Sequence, residues 1–134
     1  MAILRHETRI IRTSEDVVAV RQAVREWAIA VGFNLVDQTK IVTAASELAR
    51  NQVVYGGGGT LRLEALNDDL RRGLRLIFED QGPGIPDIAL ALKDGFTSGS
   101  GLGLGLGGAK RLSNEFEIDS KVGGGTRVAI TRWK

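Results

Sequence analysis

An α+β fold, a two-layer sandwich whose mixed, largely antiparallel sheet is covered on one face by helices, is what this 134-residue sequence predicts. Two observations carry that expectation. Apolar residues recur at helical spacing through two long segments of the first half, and they alternate with polar residues at a period of two in the shorter segments around them. No internal repeat or linker divides the chain, so residues 1–134 are expected to form one domain, with room for a real core and none for a second catalytic domain.

The elements follow in order. His6 to Arg12 reads as a strand, and Thr13 can cap the next helix, with Asp16 three residues on in capping-box spacing. Val17, Val20, Val24, Trp27, Ala28 and Val31 then form one apolar stripe, and Gly32 is a natural stop. A second helix is predicted from about Leu35 or Asp37 to Tyr55, burying Ile41, Ala44, Ala45, Leu48 and Tyr55, and Gly56 to Gly59 end it. Leu61, Leu63 and Ala65 alternate with Arg62 and Glu64, a polar turn covers Asn67 to Asp69, and Leu74 to Phe78 completes an antiparallel pair. Pro86 is placed in the first turn of a short helix reaching Lys93, and a flexible Gly/Ser segment follows from Gly95 to Gly101. The remainder reads as a helix over Leu106 to Ser113, a strand through Phe116 and Ile118, a turn at Val122 to Gly125, and a last strand from Thr126 to Trp133. Val128, Ile130 and Trp133 mark the apolar positions of that strand.

Composition narrows the function. A net charge of +2 with dispersed Lys and Arg, and only four Phe, two Trp and one Tyr, gives little support to a nucleic-acid partner. The N-terminus interleaves Arg5, His6, Glu7, Arg9 and Arg12 with apolar residues, unlike a signal peptide, and no apolar run approaches the roughly 18 residues of a membrane span. The absence of cysteine removes disulfides, zinc-thiolate sites and thiol catalysis, and suits a cytoplasmic location.

Three segments carry chemistry. Glu47, Arg50 and Asn51 stand at i, i+3 and i+4 of the second helix, with Glu47 and Asn51 at the edge of its apolar stripe. A carboxylate there can accept a proton, and an amide oxygen one turn later is a hard neutral donor for Mg²⁺; the triplet alone also fits a solvated helix face. Asp80-Gln81-Gly82-Pro83-Gly84 ends an apolar strand, where the Asp80 carboxylate would face a pocket and Gly82 and Gly84 would let backbone approach a ligand, although the same residues also suit a plain turn. From Gly99 to Gly108, leucines alternate with glycines ahead of a helix. The glycine N–H groups form an anion cradle that Lys110 and Arg111 could assist. Gly103, Gly105 and Gly108 match GxGxxG, but no βαβ unit fits in the residues that remain, and Lys110 is not in a GK[ST] context. A linker is the other reading, against which the leucines at every second place weigh.

Taken together and in this order, the segments resemble the GHKL, or Bergerat-fold, ATPases: Glu47 to Asn51 looks like their N box, Asp80 to Gly84 their first glycine box, Gly101 to Gly107 their second, and Gly125-Thr126 their closing glycine-threonine. Val36 to Thr39, Ser46 to Asn51, Glu79 to Asp87 and Gly95-Phe96 extend the likeness to the serine/threonine kinases of bacterial partner switching. The resemblance implies that Glu47 is the general base, that Asn51 ligates Mg²⁺ and that Asp80 accepts the adenine amino group with support from Thr126. It also implies that Gly82 and Gly84 of the first box, Ile85 directly after it, and Gly101, Gly103, Leu104 and Gly105 of the second, surround ATP. The implied acceptor is a serine on a STAS-domain antagonist, and the implied later partner is a PP2C-type phosphatase. Arg21 and Arg25, flanking the stripe of the first helix, are candidates for the partner-binding rim. His6, the single histidine, lies on the first strand, so no phosphoacceptor helix precedes the N box and a self-sufficient histidine kinase is not expected. The alternative function is a nucleotide-tuned anti-sigma module that acts by sequestration.

Overall fold

A computed structural model of the protein describes residues 1–93 and 105–134. Strands β1 (Ala2–Ile11), β2 (Gly59–Asn67), β3 (Arg72–Asp80), β4 (Glu115–Lys121) and β5 (Gly125–Trp133) form one sheet in the order β1-β2-β3-β5-β4. Helices α1 (Ser14–Val31), α2 (Leu35–Val54), α3 (Ile88–Ala91) and α4 (Gly105–Arg111) complete the described elements. None of these helices is long and apolar enough to cross a membrane.

All four strand pairings are antiparallel, so among the described residues the sheet is not mixed. The connections explain this. The α1–α2 hairpin leaves the end of β1 and returns to the same end, where Ile11 pairs with Gly59, so β2 must run back along β1. β4 does run in the direction of β3, but β5 lies between them.

Local signals place the two long helices. Thr13 caps α1 in a capping box, and the Asp16 carboxylate accepts from the N–H groups of Arg12 and Thr13 at 2.8 and 3.0 Å. Those backbone donations, from Arg12 first, hold the Asp16 carboxyl below its usual range. Gly32 closes α1 at φ 104°, in the left-handed region. The start of α2 is set by Asn34, whose side chain accepts from the Asp37 N–H at 2.8 Å, which resolves the ambiguous start in favour of Leu35. The helices bury Val20, Val24, Trp27, Ile41, Ala45 and Leu48 against Leu61, Leu63, Leu74, Leu76, Phe78 and Ile130 of the sheet.

Four local expectations are corrected. Strand β1 starts at Ala2, before the predicted His6. Tyr55 is 45% exposed because it is the C-cap, where the chain has left the helical face. Pro86 precedes the cap Asp87 of a single-turn helix, so it lies outside the helix, which ends at Ala91, two residues before Lys93. Trp133 is odd in register where Val128 and Ile130 are even, so it lies on the open face, covering Gly73 and stacking on the Arg71 guanidinium at 4.0 Å. The expected Gly95–Gly101 segment lies outside the described residues.

The open face also holds a buried charge. Glu64, 3% exposed, accepts from the Nε–H of Arg62 and of Arg75. Burial alone would raise its carboxyl, but the two guanidinium groups outweigh that and keep it below the usual range.

Candidate active site

One end of the sheet gathers the residues singled out in the sequence. Asp80, the last residue of β3, pairs with Thr126 on β5, which pairs in turn with Ser120 on β4. Directly opposed residues share a sheet face, and these three have the parity of Phe78, Val128 and Ile118, which puts them on the helix-covered side. They lie past the last core layer and are half-buried rather than sealed. Asp80 Oδ1 accepts from the Gly82 N–H at 2.9 Å, which fixes the carboxylate at the turn.

Helix α2 ends against this carboxylate. A Cβ added to Gly56 would stand 2.8 Å from Asp80 Cγ, and the Gly56 N–H donates to the Asn51 carbonyl at 3.2 Å. The helix end bearing Asn51 and the strand end bearing Asp80 therefore border one space. Glu47 and Asn51 are half-buried one turn apart, whereas Arg50 is exposed. Among the described residues no hydrogen bond or ion pair engages the Glu47 carboxylate.

The glycines of the first box act mainly on the protein's own backbone. At Gly82 a Cβ would meet Gly56 Cα at 2.8 Å, and at Gly84, φ 78°, it would meet the Lys121 carbonyl oxygen at 2.1 Å. Gly125, φ 83°, would place one 2.2 Å from the Asp80 carbonyl oxygen. Backbone packed on backbone closes the pocket wall, and only glycine permits it.

Ser120 organises the remainder and escaped the sequence reading. Its Oγ accepts from the Ile85 N–H at 2.8 Å, donates to the Gly125 carbonyl at 3.2 Å, and lies 2.8 Å from Thr126 Oγ1. Whichever of the two hydroxyls donates in the Ser120–Thr126 bond, at least one Thr126 lone pair remains free. A serine at a strand end carries no signal by itself; only the hairpin register brings Ser120 opposite Thr126.

Gln52 was also passed over, although its position on the apolar stripe, four residues after Leu48 and seven after Ala45, was a signal. It is 3% exposed, and its Nε2 donates to the carbonyls of Thr60 at 3.1 Å and Glu79 at 3.0 Å.

Other expected residues stand apart or out of view. Gly105 begins α4 at φ 51°, while Gly101, Gly103 and Leu104 lie outside the described residues. Lys110 and Arg111 occupy the last turn of α4, the end away from Gly105. Arg21 is exposed on α1, and Arg25 reaches Gln38 in the first turns of α2 at 3.4 Å. Gln38 is nine residues before Glu47, about 13 Å along the helix, so Arg25 is not gathered at the Asp80 end.

The groups present suit a purine nucleotide. A half-buried carboxylate beside a free hydroxyl lone pair answers an exocyclic amino donor, and the Asn51 amide with phosphate oxygens makes the hard-oxygen set that Mg²⁺ prefers. Among the described residues there is no group of three or more His, Cys, Asp or Glu side chains to hold a metal by themselves.

The model of the histidine kinase-, DNA gyrase B- and HSP90-like ATPases matches residues 36–134, a span that includes the whole of this site but leaves out Arg21 and Arg25. The serine/threonine-protein kinase RsbT of Bacillus subtilis is 49% identical over 123 residues, 92% of each chain. An anti-sigma F factor of Clostridium beijerinckii is 28% identical over 127 residues, covering 89% of this chain and 87% of that one. Among solved structures, the RsbU and RsbW domains of a Mycobacterium tuberculosis protein superpose with a TM-score of 0.66 at 24% identity, over 97% of this chain and 33% of that one. A mycobacterial sensor histidine kinase, MprB, gives 0.57 at 22% identity, over 96% and 97%. At these identities the two structures speak for the fold alone.

Proposed function

Because the chain belongs to the family of histidine kinase-, DNA gyrase B- and HSP90-like ATPases, we propose that it is an ATP-dependent protein-serine/threonine kinase of a bacterial partner-switching pathway. Its acceptor would be a serine on a STAS-domain antagonist, and its later partner a PP2C-type phosphatase that it activates in the cytosol. The observation that carries this reading is that the end of α2, the helix bearing Glu47 and Asn51, packs against Asp80, the register partner of Thr126, in a chain 49% identical to a serine/threonine-protein kinase.

ATP supplies the phosphoryl group, and Mg²⁺ when bound would offset the charge of its phosphates. Glu47 takes the proton of the partner's serine hydroxyl as its oxygen attacks, Asn51 would hold the metal through its amide oxygen, and Asp80 accepts from the adenine amino group beside Thr126. The products are ADP and phosphoserine. Incubation with labelled ATP and a STAS-domain protein, followed by phosphosite mapping, tests the assignment; absence of label on any serine or threonine sinks it. The likeness to an anti-sigma F factor favours a second reading, sequestration of a partner with nucleotide tuning the affinity. A sequestering module needs the pocket but not the proton acceptor, so Glu47 separates the two.

Nucleotide affinity is expected to depend on Mg²⁺ and to weaken in Asn51→Ala, since one amide oxygen with phosphate oxygens and waters is a sufficient Mg²⁺ shell. Titration in Mg²⁺ and in chelator checks it, and equal affinities contradict the ligand assignment. ATP should be preferred over GTP by roughly tenfold to a hundredfold, because Asp80 would face the guanine carbonyl oxygen, and a hydrogen bond to a charged group is worth about 1.5 to 3 kcal/mol. Competition between the two nucleotides measures this, with indistinguishable constants as the adverse result.

The partner surface is placed on α1. Exposed Val18 stands one turn before exposed Arg21, an apolar contact beside a guanidinium suited to bidentate pairing with carboxylates. Arg21→Ala should weaken partner binding and leave ATP affinity unchanged. The phosphorylated partner, carrying an added charge of about −1.5 to −2, should bind less tightly than the unmodified one. Calorimetry with both partner forms decides the point; an unaltered Arg21→Ala affinity moves the interface elsewhere.

A further inference from the structure

Gln52 neighbours Asn51 on α2 but belongs to the interior. It is 3% exposed, and one amide nitrogen donates to two carbonyls that face each other across the β2–β3 ladder, Thr60 and its register partner Glu79. Glu79 is the residue immediately before Asp80. The orientation of the amide is set by its surroundings, since a flip would turn its oxygen onto two acceptors. Gly59 makes room for it: a Cβ there would stand 2.7 Å from Nε2 and 2.4 Å from the Glu79 carbonyl oxygen.

The other half of the amide is unpaired. Among the described residues nothing donates to Gln52 Oε1, although the atom is buried. Leaving a buried acceptor without a partner opposes folding, a cost set against the two donations from Nε2. The backbone does not depend on this amide for continuity, because β2 and β3 are already paired from Thr60–Glu79 to Asn67–Arg72. What the amide adds is a link between two elements, the end of α2 and the end of β3.

We infer that Gln52 is a positioning residue for nucleotide recognition: by holding the Glu79 carbonyl it fixes where β3 ends, and so sets the Asp80 carboxylate relative to the helix end that bears Asn51. This rests on the assignment of Asp80 to the adenine amino group. The helix side of the pocket and the base-reading side then move as one body, and a change at Gln52 is transmitted to base selectivity without any contact between Gln52 and the nucleotide. Residue 52 acts through Asp80 and takes no part in phosphoryl transfer.

The test uses Gln52→Met, which keeps an unbranched side chain of similar length and removes both donors, with ATP and GTP dissociation constants, kcat and the thermal unfolding midpoint measured on the same samples. The expected result is a loss of roughly tenfold in ATP affinity with a much smaller change for GTP, so that the ATP-to-GTP ratio collapses, while kcat at saturating ATP stays within about twofold. A lowered midpoint with an unchanged ratio overturns the inference, since it leaves Gln52 a purely structural role. Asp80→Asn runs beside it: if that variant keeps the full ratio, the assignment of Asp80 has failed; if it loses the ratio and Gln52→Met does not, only the role of Gln52 has. Should Gln52→Met not fold, the unsubstituted protein decides. Its Gln52 side-chain amide signals in ¹⁵N-labelled protein should shift on addition of ADP and Mg²⁺, and unmoved signals overturn the inference.

Discussion

Glu47→Ala should cut phosphoryl transfer by about 10² to 10⁴ while leaving ATP binding nearly intact, the usual range for loss of a general base. The structure separates the chemical role of this residue from a structural one. Glu47 is half-buried on α2, and among the described residues its carboxylate makes no hydrogen bond or ion pair whose loss would unsettle the fold. Alanine is also a good helix former at an interior position of a 20-residue helix. A fall in turnover can therefore be assigned to the missing proton acceptor once unchanged stability and unchanged ATP affinity have been measured on the same variant. Turnover equal to that of the parent would remove Glu47 from the mechanism and favour the sequestering reading, and loss of ATP binding would make its role structural.

Gly125→Ala should be among the most damaging single substitutions, although it adds one methyl group. At φ 83° an alanine is strained by about 1–2 kcal/mol from its own backbone. The added Cβ would also stand 2.2 Å from the Asp80 carbonyl oxygen. That neighbour is backbone, paired across the β3–β5 ladder through Asp80–Thr126, so relief requires the two strands to part at the pocket wall. The combined cost should exceed about 3 kcal/mol, in the range reserved for strain at special backbone positions. Chemical denaturation reads the stability, and ATP affinity should fall with it because Asp80 and Thr126 separate. A variant with parental stability and affinity would show that the hairpin end can yield, and that Gly125 is not needed for the close approach. Gly123, also at positive φ but with no atom near its added Cβ, is the comparison: Gly123→Ala should bear the backbone strain alone.

What could be read in advance followed the range of the interactions. The Thr13–Asp16 box, the Gly32 stop and the stripe from Val20 to Val31 involve residues within a few positions of one another, and the helix they define stands where the pattern places it. Sheet order was not legible, because pairing is decided by where the helices return the chain to the sheet, as the α1–α2 hairpin does between β1 and β2, which local pattern does not encode. The same limit applied at the site. Glu47, Asn51 and Asp80 were recognisable from residue type and spacing, but Ser120 matters only through its register with Thr126. Trp133 was assigned to the wrong face by its apolar character; the two-residue period starting at Val128 and Ile130 leads to Arg132, and Arg132 accordingly turns to Asp37 of α2 at 2.7 Å. Gln52 was the opposite case, a polar residue on an apolar stripe whose position was visible but whose carbonyl partners, one of them 27 residues away, were not.

The hairpin geometry that gathers the site also decides how the protein can be held. Asp80, Thr126 and the end of α2 crowd one end of the sheet, whereas Ala2 pairs with Asn67 and Trp133 with Gly73 at the other. From Asp80 back to Arg72 is eight residues of strand, about 26 Å. Residues 1 and 134 both leave the sheet at that far end, so a surface tether, a fluorophore or a fused protein attached at either one stands on the opposite side of the molecule from the pocket. Single-molecule or immobilised assays of nucleotide exchange can thus be built on this chain without screening the pocket they measure.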